Sequence, residues 1–101
     1  MEKRRTRSDV MRVLEERRAS LRALGARRLG LFGSTARDEA GPTSDLDFVV
    51  ELDERTFDRY MDLKLFLEEL FGCRVDLVLA DSIKPRLRST ILREAVYAAG
   101  F

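Results

Sequence analysis

Histidine and tryptophan are absent from this chain, and it carries a single cysteine, Cys73. Without histidine there can be no Ser-His or Cys-His nucleophile and no imidazole ligand for a metal. One cysteine excludes an internal disulfide, and a lone thiol between apolar segments is most often a buried structural group. Positive and negative charge nearly cancel, leaving a formal net charge of +1. There is then no global pull towards nucleic acid or an anionic membrane. No apolar run is long enough for a membrane span or a signal peptide, so a cytoplasmic protein is expected.

What remains is a chain of 101 residues, 45% hydrophobic and 37% charged. That length supports one domain with one modest core beneath a charged surface. Lys3, Arg4, Arg5 and Arg7 bunch at the start. Residues 1–7 read as a flexible basic arm, usually a solvated tail, and 8–101 as a single domain. Ser8 can cap a first helix over 9–24, with Val10, Val13, Leu14, Leu21 and Leu24 at helical spacing and Gly25 as its stop. Residues 27–32 read as a strand, and Ser34 as the cap of a short helix that ends at Asp38 or Glu39.

Ala40 to Thr43 is a loop by its Gly-Pro pair, and 45–52 a second strand. Residues 56–71 form a strong helix stopped by Gly72. Tyr60, Leu63, Phe66, Leu67 and Leu70 make its core stripe, and Phe57, Met61 and Leu65 make a second apolar row. That second row is a candidate docking place for a partner. Residues 74–80 read as a third strand. Pro85 opens a last helix running to Arg93, and 95–98 either extend that helix or form a short edge strand, the strand being the preferred reading. A long helix joining the second and third strands implies a crossover and parallel pairing. The first two strands can pair antiparallel. The expected fold is α/β (α+β), a small mixed β-sheet flanked by helices.

The segment LFGSTARDEAGPTSDLDFVV holds the chemistry. Side chains two apart on a strand share a face, so Asp45 and Asp47 project together. The crossover sets Asp76 of the third strand beside them. Converging carboxylates repel unless a cation lies between them, and oxygen ligands suit Mg²⁺ or Mn²⁺. Three carboxylates can hold two such ions about 4 Å apart, the arrangement used for phosphoryl and nucleotidyl transfer. Gly33 lets the backbone approach a phosphate, while Ser34 and the amides after it can hold phosphate oxygens. Arg37, one turn on, can grip phosphate bidentately. A nucleoside triphosphate would fill both ends. Each motif has an ordinary reading: Gly-Ser as a turn, Asp-x-Asp as a wet strand start, Asp76 as a solvated polar residue. Their joint order weighs against these, because Asp47 and Asp76 interrupt apolar strands where an inward carboxylate is costly unless liganded.

The Gly-Ser, ten residues, Asp-x-Asp pattern resembles the minimal nucleotidyltransferases of the DNA polymerase β-like superfamily. CRVDLVLADSIKPRLRSTILREAVYA resembles that family's third-aspartate strand and closing helix. The resemblance implies the nucleotidyltransferase fold, metal aspartates at Asp45, Asp47 and Asp76, and a phosphate-binding pair at Gly33 and Ser34. It further implies an antitoxin that transfers AMP from ATP, with Mg²⁺, to a tyrosine of a HEPN toxin partner. Asp38 stands where the family usually has glycine, which sets an extra negative charge near the phosphates. Two other readings stay open: a non-catalytic module that masks its partner by contact, and nucleic-acid binding through the basic arm.

Overall fold

In Leu46–Leu52, LDFVVEL, apolar side chains at alternate positions must reach a core while the intervening ones face the other way. The computed structural model, in which residues 6–39 and 45–101 are described, builds its sheet on this segment. The strands are β1 (Ala26–Phe32), β2 (Leu46–Leu52), β3 (Val75–Leu79) and β4 (Val96–Tyr97), in the order β3-β2-β1-β4. β1 pairs antiparallel with β2 and with β4, and β2 pairs parallel with β3. The mixed sheet, the crossover and the short last strand are those expected from the pattern.

The helices are α1 (Arg7–Glu16), α2 (Arg18–Ala23), α3 (Gly33–Ala36), α4 (Phe57–Phe71) and α5 (Pro85–Glu94), with a turn of 3-10 helix at Ala80–Ser82. The expected first helix is thus two, divided at Arg17. It also begins earlier than expected. Thr6, not Ser8, is the cap, and Thr6 and Asp9 bond reciprocally to each other's backbone amides. That satisfies two of the helix's otherwise orphaned N–H groups. Thr6 and Arg7 therefore belong to the folded domain, and residues 1–5 of the expected arm lie outside the described residues, as does the expected 40–43 loop. The α4 boundaries follow their signals: Thr56 accepts from the Arg59 amide, and Gly72 ends the helix at a left-handed φ of 65°.

The core occupies one face of the sheet. Leu29, Leu31, Leu46, Phe48, Val50, Val75 and Leu77 meet Val10, Leu14 and Leu21 from α1 and α2, and Leu63, Leu67 and Phe71 from α4. The Phe48 and Phe71 rings pack tilted against each other, with centroids 5.8 Å apart. Each buried side chain of this kind contributes roughly 1.5–3 kcal/mol of transfer free energy. Two of the three residues in the second apolar row of α4 are left in water, Phe57 at 75% and Leu65 at 55% exposed, while Met61 is half-buried.

β3 is an edge strand, and its backbone is partly capped by side chains of α4. The Val75 amide donates to Glu68 Oε2 (3.1 Å), and the Tyr60 hydroxyl donates to the Leu77 carbonyl (2.6 Å). No helix among the described residues is long and apolar enough to cross a membrane.

Candidate active site

The register of the sheet decides which carboxylates meet. Phe48 and Leu77 are partners across β2 and β3 and both lie on the core side. Their neighbours Asp47 and Asp76, also direct partners, must then share the opposite side. Asp47 is half-buried; Asp76 and Asp45 are exposed. The sequence-based expectation of an inward, costly carboxylate thus holds for Asp47 and not for Asp76, because β3 lies at the sheet edge where water reaches its outer face.

Asp47 carries the electrostatic signature of the site. Burial, a hydrogen bond shared with Asp76, and the charges of Asp76 and Asp45 push its pKa from 3.8 up to about 6, with Arg37 opposing. Burial in a strand, beside a second carboxylate, disfavours the charged form of Asp47, and the raised value expresses burial first and the neighbouring carboxylates second.

Gly33 closes over the same group. It follows Phe32, the β1 partner of Asp47, and turns the chain at φ +78°. A Cβ built there would run into the Asp47 carboxylate. Only glycine lets the turn enter a left-handed conformation and the carboxylate lie against it. Ser34 does not cap α3: the cap position is Phe32, and no side chain accepts from the helix start. Ser34 is the second helical residue, half-buried, so its hydroxyl and the first-turn amides of Gly33 and Ser34 form one polar ledge beside Asp47.

Arg37 follows α3, but its guanidinium is already engaged. Nε donates to Glu39 (2.9 Å) and Nη1 to Glu94 at the end of α5 (2.7 Å). Those two carboxylates, Glu39 first, hold its pKa above the usual arginine value. Its Nη2 makes no hydrogen bond among the described residues. Reading the sequence missed both acidic partners. Glu39 could have been found two residues on, whereas Glu94 is 57 residues away and carries no local signal.

Asp38 resolves the departure from the family pattern. It adopts φ +56°, the left-handed turn otherwise given to glycine. Its carboxylate turns to α1 and accepts the Arg7 amide at 2.8 Å, while the Arg7 guanidinium reaches the Ala36 carbonyl at 3.4 Å. The extra charge thus caps a helix.

Among the described residues, no three carboxylate or thiol groups stand together as a ready-made metal cluster. The structure joins Asp47 to Asp76 in contact, while Asp45, just before β2, acts on Asp47 as a charge. The donor set is nevertheless one for a hard divalent cation: oxygen only, and a close like-charged pair that a cation would relieve.

A family model described as nucleotidyltransferase domain matches residues 10–98. The protein adenylyltransferase MntA of Thermococcus cleftensis is 38% identical over 94 residues, spanning 91% of this chain and 95% of the relative. A solved structure described as a candidate minimal nucleotidyltransferase is 44% identical and superposes with a TM-score of 0.70 over 85% of this chain and 93% of its own. The rebuilt structure of the tri-AMPylated HEPN toxin of Shewanella oneidensis in complex with MNT antitoxin matches at 20% identity and a TM-score of 0.64, over 90% of this chain and 73% of that one. At that identity the likeness speaks to the fold alone.

Proposed function

The chain belongs to the nucleotidyltransferase domain family, and we propose that its reaction is the transfer of AMP from ATP to a tyrosine hydroxyl of a HEPN-domain toxin, which it thereby silences as an antitoxin. The observation that carries this reading is the pairing of Asp47 with Asp76 across adjacent parallel strands, with Gly33 and Ser34 turning directly against Asp47. A relative at 38% identity is named a protein adenylyltransferase, and the fold is shared with a complex whose HEPN toxin is AMPylated. ATP and magnesium are both abundant in the cytoplasm, where the reaction is expected to run.

In this reading the Gly33 turn, the Ser34 hydroxyl and Arg37 hold the triphosphate. Arg37 does so through Nη2 while Glu39 and Glu94 fix the rest of its plane. Asp45, Asp47 and Asp76 would hold Mg²⁺, which when bound screens phosphate charge and polarises the reacting oxygens. Asp76 faces water, where an acceptor arrives, so it orients the acceptor hydroxyl and takes its proton. The hydroxyl oxygen bonds to the α-phosphorus as the bond from that phosphorus to the bridging oxygen breaks. Pyrophosphate leaves and AMP stays on the acceptor.

The test is labelled ATP with Mg²⁺ and a co-expressed HEPN partner, followed by intact mass of that partner. Additions of one AMP each are expected, and they should vanish in the Asp45→Ala, Asp47→Ala double variant. Unchanged labelling by that variant would sink the reading. Protection from the toxin by an unlabelling variant would instead favour masking by contact.

A further inference from the structure

The two faces of the sheet are unequal as places from which an acceptor could reach the aspartates. The exposed row of α4 sits on a helix that packs against the core face, through Leu63, Leu67 and Phe71. The aspartates project from the opposite face. A chain lying on the α4 row would have the sheet between it and Asp76.

The other apolar surface is differently placed. A groove of about 420 Å³ runs along the edge strand β3 between Tyr60 of α4 and the start of α5, lined by Leu77, Val78, Ile83, Leu87 and Ile91. Leu87 is 47% exposed within it. Val78 is two residues beyond Asp76, so the two side chains share one face with Cα atoms about 6.6 Å apart. The charged residues lining the groove are Lys84 and Arg86. Neither is ion-paired among the described residues, and no carboxylate lines the groove beside them. The backbone edge of β3 is partly occupied by Glu68 and Tyr60, so an occupant would be held by side chains and charge more than by strand pairing.

We propose that the β3–α5 groove docks the acceptor polypeptide, which places an apolar side chain against Val78, Leu87 and Ile91, sets acidic residues against Lys84 and Arg86, and delivers its hydroxyl to Asp76. This rests on the transferase reading and adds to it the place and chemistry of the acceptor. The charge of the rim selects the occupant: a segment with an apolar anchor and acidic flanks fits, and a basic one is repelled.

Two tyrosine peptides, identical around a Leu-Tyr-Val centre and flanked by four glutamates or four lysines, test it with labelled ATP and Mg²⁺. The acidic peptide is expected to be labelled at least ten-fold faster. Leu87→Glu should cut that labelling at least ten-fold, and Lys84→Glu with Arg86→Glu should reverse the preference. Those changes lie on exposed positions at or near the start of α5, where acidic residues suit the helix dipole. Leu65→Asp on α4 should leave labelling unchanged. Equal labelling of the two peptides, no labelling of either by a protein that binds ATP, or loss in Leu65→Asp with none in Leu87→Glu would overturn the docking site. Binding of a fluorescent ATP analogue with Mg²⁺, expected unchanged in every variant, separates this from the transferase reading. Wild-type protein that fails to bind the analogue refutes that reading instead.

Discussion

Gly33→Ala tests how the site is built, because it adds one methyl group at a position that forbids it twice. At φ +78° an L side chain is strained by about 1–2 kcal/mol. The new Cβ also overlaps the Asp47 carboxylate, and crowding of that kind typically costs about 1–3 kcal/mol. If the backbone holds its place, the variant loses roughly 2–5 kcal/mol of stability, the sum of the two. If Asp47 yields instead, stability falls less, but a catalytic group displaced by about 1 Å lowers the rate on the order of 10²-fold. Gly72→Ala is the matched control. Gly72 has a similar φ of +65°, yet a Cβ there meets nothing within 4 Å, so it carries only the conformational strain of about 1–2 kcal/mol. Urea unfolding and AMP transfer are measured for both. Gly33→Ala should be worse than Gly72→Ala in stability, in rate, or in both. If the two variants match in stability and both transfer AMP at the wild-type rate, then Gly33 does not set the Asp47 carboxylate and the proposed construction of the site is wrong.

Two further expectations concern the charges around that site. The folded-state pKa of Asp47 is raised, so the folded protein keeps its proton after the unfolded chain has lost it. The stability this confers is fully present below about pH 4 and is lost as pH rises through about 6. In metal-free protein, urea titrations should show a decline across that window that Asp47→Asn removes, and a decline that persists in the variant would refute the assignment. At Asp38, Asp38→Gly gives up the Arg7 cap but relaxes the left-handed turn, whereas Asp38→Ala loses the cap and keeps the strain. Asp38→Ala should therefore unfold about 1 kcal/mol more easily than Asp38→Gly.

The parts of the molecule that were legible beforehand are those governed by period and punctuation. Alternation in 46–52 and 75–79, glycine at 72 and proline at 85 locate elements with little help from the rest of the chain, and the helix between two strands forces the parallel pairing that unites Asp47 with Asp76. What was missed depends on which atoms meet. The Arg37–Glu94 pair and the Arg7–Asp38 cap join residues 57 and 31 positions apart, and neither leaves a local pattern. Ser34 reads as a cap because a serine after glycine satisfies that rule, while the chain starts its helix two residues sooner. The exposure of Asp76 follows from strand order, and order within a sheet is not written in any one strand. The α4 row was visible as an apolar pattern, but only the packing of the opposite stripe shows which side of the sheet it occupies.

The two side-chain bonds along the edge of β3 have a consequence for the crowded state of the protein. A free strand edge is a template on which another strand can grow, and repeated growth ends in aggregates. Glu68 and Tyr60 already hold the Val75 amide and the Leu77 carbonyl, so the template is interrupted where two copies would otherwise zip together. The flank beside the chemistry can thus stay apolar and still not recruit its own kind.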